Sequence, residues 1–188
     1  MKKKADITPA QRKALVKILG KDVVLDILSG MVEFVTKVIS AITHRLTADV
    51  DETTRIEIQA RICELDCNQN FISSTQFPVV PNGYKGKRKI VLCRFNTGRT
   101  SKEVIEAMYR AGYRPATIWE LLAVARKILD LRGEFSIVAL GSVCLAGGYR
   151  QVPVLGYMYN SLRCLCLGHF EVPGRYWDIS HLFAAVRK

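Results

Sequence analysis

The residues with the greatest chemical potential gather near the C-terminal end: Cys164, Cys166, His169, Asp178 and His181. A thiol nucleophile needs a base, so Cys166 with His169 or His181 is one arrangement to test. Asp178, three residues before His181, is close enough in sequence to orient that imidazole. Cys164, Cys166 and His169, with His181 as a fourth ligand, also invite a zinc reading, but the paired C-x-x-C spacing of structural zinc sites is absent. Farther back, Asn96-Thr97-Gly98-Arg99-Thr100 precedes a helix start. It offers backbone N–H groups and a guanidinium to an anion, without the G-x-x-x-x-G-K of a phosphate loop. No G-x-S-x-G elbow occurs. Because no set meets the role-by-role requirements of a catalytic site, the sequence reads as a non-enzyme with no cofactor and no metal.

Composition sets the frame for these residues. The 188 residues are 49% apolar and 24% charged, as expected of a chain that buries a core. The formal charge of +11 is uneven. Residues 1–22 carry seven basic and two acidic groups, residues 84–110 eight and two, and residues 23–83 four and eight. Concentrated positive segments suit a polyanion such as nucleic acid, and equally suit a solubilising tail with a solvated loop. Lys2, Lys3 and Lys4 resemble the start of a signal peptide, but Asp6, Gln11, Arg12, Lys13 and Lys17 interrupt any apolar run behind them. The most apolar stretch, Val23 to Ile42, is broken by Asp26, Glu33 and Lys37, so no transmembrane segment is expected. A cytoplasmic location follows as the expectation, with unconventional export left open. In that setting the six cysteines are expected as free, reduced thiols.

The elements that must position these residues show two regimes. Thr8-Pro9-Ala10-Gln11 has the form of a capping box opening a helix to Leu19. Val24, Ile27, Leu28, Met31, Val35, Val38 and Ile42 recur at helical spacing in a second, whose apolar stripe suits a core or self-association. Asp51 to Asp66 reads as a third, with Thr54-x-x-Glu57 as its box. Loop signals from Cys67 to Lys87 divide a helical N-terminal segment, residues 1–87, from a second domain, residues 88–188. There Arg88 to Phe95 reads as a strand, and Thr100-x-x-Glu103 and Thr117-x-x-Glu120 open two helices, the second running to about Gly133. Short strands follow over Ser136–Cys144, Arg150–Leu155, Leu162–Leu167 and Leu182–Arg187, with Ala146-Gly147-Gly148 as a hairpin turn. Helices first and antiparallel strands afterwards indicate α+β.

Gly112-Tyr113-Arg114-Pro115-Ala116-Thr117-x-x-Glu120-Leu121 resembles the G-x-R-L-P-T-x-x-E-W segment of C-type-lectin-fold proteins in the formylglycine-generating-enzyme branch. The chain departs from it in Pro-Ala-Thr for Leu-Pro-Thr and in Leu121 for the tryptophan. Ile137 to Val143 is similar to the strand before the variable segment of that branch, and Leu182 to Lys188 to its closing strand. Together these resemble the variable proteins of diversity-generating retroelements over residues 112–188. The resemblance implies a C-type lectin-like fold in the C-terminal half. It also implies a non-catalytic, hypervariable ligand-binding surface, written by a reverse transcriptase that copies a template with errors at adenines.

Randomised AAY codons encode Tyr, Asn, Ser, Cys, His and Asp among others, but not Trp, Met, Gln, Glu or Lys. The variable positions the resemblance implies are therefore Cys144, Tyr157, Tyr159, Asn160, Ser161, Cys164, Cys166, His169, Tyr176, Asp178, Ser180 and His181. Gln151, Met158, Glu171 and Trp177 fall to the scaffold. Tyrosine, arginine and small polar side chains between Cys144 and His181 match the composition of a paratope, and match an aromatic-rich β core as well. The partner expected is a macromolecule, a protein foremost. The alternative is nucleic acid bound through residues 1–22 and 84–110.

Overall fold

The computed structural model describes residues 41–63, 65, 67–68, 72–80, 83–128, 135–158, 162–171 and 176–188. The two helices expected before residue 42 lie almost wholly outside them. Residues Ile39–Lys188 belong to one compact unit. Its strands are β1 (Ala41–Asp51), β2 (Cys67–Asn68), β3 (Lys85–Arg94), β4 (Tyr113–Pro115), β5 (Ser136–Val138), β6 (Cys144–Ala146), β7 (Tyr149–Met158), β8 (Leu162–His169) and β9 (His181–Arg187). Three helices accompany them among the described residues: α1 (Ile56–Ile62), α2 (Ser101–Arg110) and α3 (Ile118–Lys127).

All nine strands join one mixed sheet ordered β1-β3-β9-β5-β7-β8-β2, with β4 added beside β9 and β6 beside β7. The β5–β9 and β2–β8 pairs are parallel and the others antiparallel. This overturns the expected α+β arrangement of a helical N-terminal segment leading into a C-type lectin-like half. The sheet begins inside the expected helical segment, where β1 pairs with β3 from Ala41–Arg94 to Asp51–Lys85. The reason is local. Ile42 extends the helical stripe before it, but Leu46, Ala48 and Val50 then alternate with Arg45, Thr47 and Asp49, which is the period of a half-buried strand. His44, expected on a helix, is exposed on this strand.

The alternation along the strands separates two apolar faces. On one, Ile90, Leu92, Leu182, Ala184, Ile137 and Leu155 join a core with α3 and with Ile56 of α1. Here α3 packs against β1 and β7, and α1 against α3. On the other, Phe95 and Trp177 stand edge-on to Phe183, ring centroids 5.5 and 6.0 Å away. Both C-terminal helices start as their sequences require. Thr100 and Thr117 accept from the backbone N–H of Glu103 and Glu120, whose carboxylates return the bond. The expected third helix is shorter, because Arg55 stands at its N-cap without a side-chain bond and Glu57 turns to Ser74 instead. Past α3 the helical reading to Gly133 lies outside the described residues. The expected strand Ser136–Cys144 divides into β5 and β6, with Leu140 and Gly141 in a turn. Gly141 sits there because a Cβ would come within 2.6 Å of the Ala116 carbonyl oxygen. The Gly147-Gly148 turn has φ of 58° and 81°, the positive values of a type I′ hairpin.

Candidate functional site

The loop Tyr176–Ser180 enters β9 and is fastened at its centre. Trp177 and Arg99 exchange both backbone bonds, at 2.9 and 3.1 Å. The Trp177 indole Nε1 donates to Ser101 Oγ at 2.9 Å, and Ser101 donates to the Phe170 carbonyl. Beneath the indole lies Gly168, where a Cβ would meet the ring at 2.9 Å. Downstream, Asp178 Oδ1 accepts from the Ser180 backbone N–H at 2.8 Å, from the Ser180 hydroxyl and from His181 Nδ1 at 2.8 Å. The Ser180 hydroxyl first, with its backbone N–H and His181 behind it, holds the Asp178 carboxyl below the usual carboxylate range. Just before these ties Tyr176 remains 63% exposed, and between them Ile179 remains 51% exposed. The result is a hydrogen-bonded frame presenting an aromatic and an aliphatic side chain to solvent.

The twelve expected variable residues are not brought to one place. Tyr176, Asp178, Ser180 and His181 share this loop and the start of β9, with Asp178 and His181 in direct contact. His169 is exposed at the end of β8 and meets the Tyr149 ring edge-on at 5.4 Å. Tyr157 is half-buried near the far end of β7, in a shallow cleft with Phe135, Leu155 and Arg163 that has room for about one water. Cys144 is 7% exposed and belongs to the hydrophobic core. Cys164 is 1% exposed, and Cys166 is half-buried, its thiol donating to the Val154 carbonyl at 3.5 Å. Tyr159, Asn160 and Ser161 lie outside the described residues.

The cysteines correct a second expectation. Cys63, Cys93, Cys144 and Cys166 are free, whereas Cys164 is disulfide-bonded. Parallel pairing of β2 with β8 sets Cys67 opposite Cys164, a juxtaposition that sequence spacing gave no means to foresee. Burial pushes the Cys63 thiol up to about 11 and the Cys93 thiol to about 12, and raises Cys144 and Cys166 as well. That is the reverse of what activates a nucleophile, which needs its thiolate stabilised near neutral pH. Among the described residues no group of three His, Cys, Asp or Glu side chains is placed to hold a metal ion. Nor is any helix among them long and apolar enough to cross a membrane.

No family model, curated protein or solved structure matches this chain. The site therefore rests on its own geometry. That geometry adds residues outside the expected set: Leu145 and Tyr149, exposed on either side of the Gly147-Gly148 turn, and Ile179. The hairpin signal Ala146-Gly147-Gly148 was enough to place the first two beside an exposed turn.

Arg163 goes the other way. It is one of the arginines between Cys144 and His181 that match a paratope's composition, yet it donates to the carbonyls of Cys63 at 3.2 Å and Ala125 at 2.6 Å. Two carbonyls left open at helix ends are thereby satisfied, which is a structural task.

Proposed function

We propose that the chain is a non-catalytic binding protein whose C-terminal residues contact a macromolecular ligand, with Tyr176, Asp178, Ile179 and Ser180 at the centre of the contact. The carrying observation is exposure combined with restraint. Tyr176 and Ile179 project from a loop whose Trp177 is tied by two backbone bonds and one indole bond. A side chain already ordered before binding loses less entropy on binding, and tyrosine supplies large contact area with few rotors. Tyr149 with His169 extends the surface at the β7–β8 end.

The retroelement origin of this surface rests on the sequence resemblance, and the two are separable. The flanking DNA tests the origin. A near-copy of the gene's 3′ end, differing at adenines and lying beside a reverse transcriptase gene, is the expected finding. Variation between copies should then fall on the codons of Tyr176, Asp178, Ser180 and His181 and spare Trp177. Finding neither template nor reverse transcriptase would overturn the retroelement origin, and variation centred on the buried scaffold would overturn the surface as well.

A further inference from the structure

Lys85, Lys87 and Lys89 alternate along β3 and so share one face of the sheet. Two of them have an acid directly across in β1. Asp51 opposes Lys85 and pairs with it at 3.0 Å, and Asp49 opposes Lys87. Lys89 has none. Its partner in β1 is Thr47, and one step beyond the Ile90–Val186 pair β9 brings Arg187 alongside it. Arg187 in turn opposes Tyr113 of β4. Residues directly across a ladder share a face, so Thr47, Lys89, Arg187 and Tyr113 form one row, with neighbouring strands about 4.8 Å apart.

Arg45 lies on the same face two residues along β1, and Lys87 two residues along β3. Arg45, Lys87, Lys89 and Arg187 are all exposed, and Arg45, Lys89 and Arg187 enter no ion pair among the described residues. At the row's end Tyr113 is half-buried, and the neighbouring Tyr109 is exposed with Lys188 Nζ 4.2 Å above its ring.

Like charges side by side across a sheet destabilise it. The same strand shows the remedy at Lys85 and Lys87, and shows it missing at Lys89. We propose that this row binds single-stranded nucleic acid, with Lys87, Lys89, Arg187 and Arg45 along the phosphates and Tyr113 and Tyr109 offering ring faces to bases. The chemistry fits that ligand better than a duplex. Cations spread over the exposed end of a sheet face beside tyrosines match a backbone-tracking surface with stacking platforms. Duplex reading calls for a helix or ribbon projecting into a groove. The row lies at the opposite end of β9 from His181 and is independent of the proposed contact loop.

The test is fluorescence anisotropy of a labelled single-stranded oligonucleotide of about 16 nucleotides, titrated with the full chain between about 50 and 200 mM salt. The variant Lys87→Gln/Lys89→Gln/Arg187→Gln should weaken binding about tenfold or more. Its slope of log affinity against log salt should shrink by about 2, from three charges at roughly 0.7 each. Its urea midpoint should stay near that of the unaltered chain, since the Lys89–Arg187 repulsion is relieved as the attraction between Lys87 and Asp49 is lost. A control with equal charge loss elsewhere, Arg61→Gln/Lys102→Gln/Lys127→Gln, should keep a slope near that of the unaltered chain. The proposal is overturned by absent binding at the lowest salt, or by a row variant that binds as the unaltered chain does, which would move the affinity to residues 1–22. It is overturned equally by a control that loses as much as the row variant, or by a duplex of the same length that binds more tightly.

Discussion

Glu120 is the charge that the fold treats with most care. Its side chain is fully buried, and its oxygens accept from Arg114 at 2.6 and 2.9 Å and from the Thr117 backbone N–H at 2.8 Å. Arg88 stands 3.2 Å from it on β3, its own guanidinium 3.8 Å above the Tyr84 ring. The hydrogen bonds to Glu120 and its charge raise the Arg114 pKa above an already high value, so the guanidinium keeps its charge. One carboxylate therefore caps α3, anchors β4 and reaches β3. This gives a structural reason for the Gly112-x-Arg114-Pro115-x-Thr117-x-x-Glu120 pattern: each polar residue in it serves the same buried ion cluster. Removing one partner from such a cluster strands the other charge away from water, at a cost of about 3–5 kcal/mol. Arg114→Met should lower stability by that amount in urea unfolding. Thr117→Ala, which loses only the cap, should cost about 1 kcal/mol. An Arg114→Met protein as stable as the unaltered chain would show that Glu120 finds its compensation elsewhere.

At the scale of elements, the carboxylates that close turns and caps make the fold sensitive to acid. At the end of β1, Asp51 accepts from Thr53 and Thr54 and pairs with Lys85, and the Thr53 hydroxyl is the largest of the influences holding its carboxyl well below the usual range. Glu57, held by Ser74, and Glu103, held by Thr100, are lowered in the same way. A carboxyl whose folded pKa lies below its unfolded value of about 4 stabilises the fold above that pH, and the contribution is lost as pH falls through the folded value. The urea midpoint should thus stay level between about pH 7 and 5 and drop below about 4. Asp51→Asn should flatten part of that acid limb, and an unchanged limb would remove Asp51 from the account. These local devices are also what the sequence made legible. The boxes at Thr100 and Thr117 span four residues each, and α2 and α3 begin where those boxes say. What sequence could not convey was pairing between distant segments. Ile42 continues the preceding helical spacing, so only the partnership with β3 makes its surroundings a strand. The parallel pairs β5–β9 and β2–β8 join segments that no turn connects. The candidate surface was hidden for the same reason: codon chemistry groups exposed Tyr176 with buried Cys144, because a codon carries no information about burial.

For the whole molecule, the cysteines bear most directly on where the protein can work. A disulfide at Cys164 lies in the sheet itself, on β8 between β7 and β2, and not on a loose terminus. Such bonds persist where the surroundings oxidise and are scarce where glutathione and thioredoxin keep thiols reduced. The bond therefore pulls against the expectation of a cytoplasmic location. Differential alkylation of protein isolated from its own cells separates the two. If the bond forms there, the peptide carrying Cys164 stays unlabelled when the unfolded, unreduced chain meets iodoacetamide, and becomes labelled only after reduction. Cys63, Cys93 and Cys166 should be labelled in both cases once the chain is unfolded. In the folded protein they should react slowly, since burial raises each thiol and leaves little thiolate near neutral pH. Reduction of the folded chain should also lower its stability, by about 2–4 kcal/mol if the bond constrains the unfolded state in the usual way. Cys164 fully labelled without reduction would mean that the strands align the position without oxidising it. Labelling only after reduction would instead direct the search for the ligand of Tyr176 and Ile179 to an oxidising compartment.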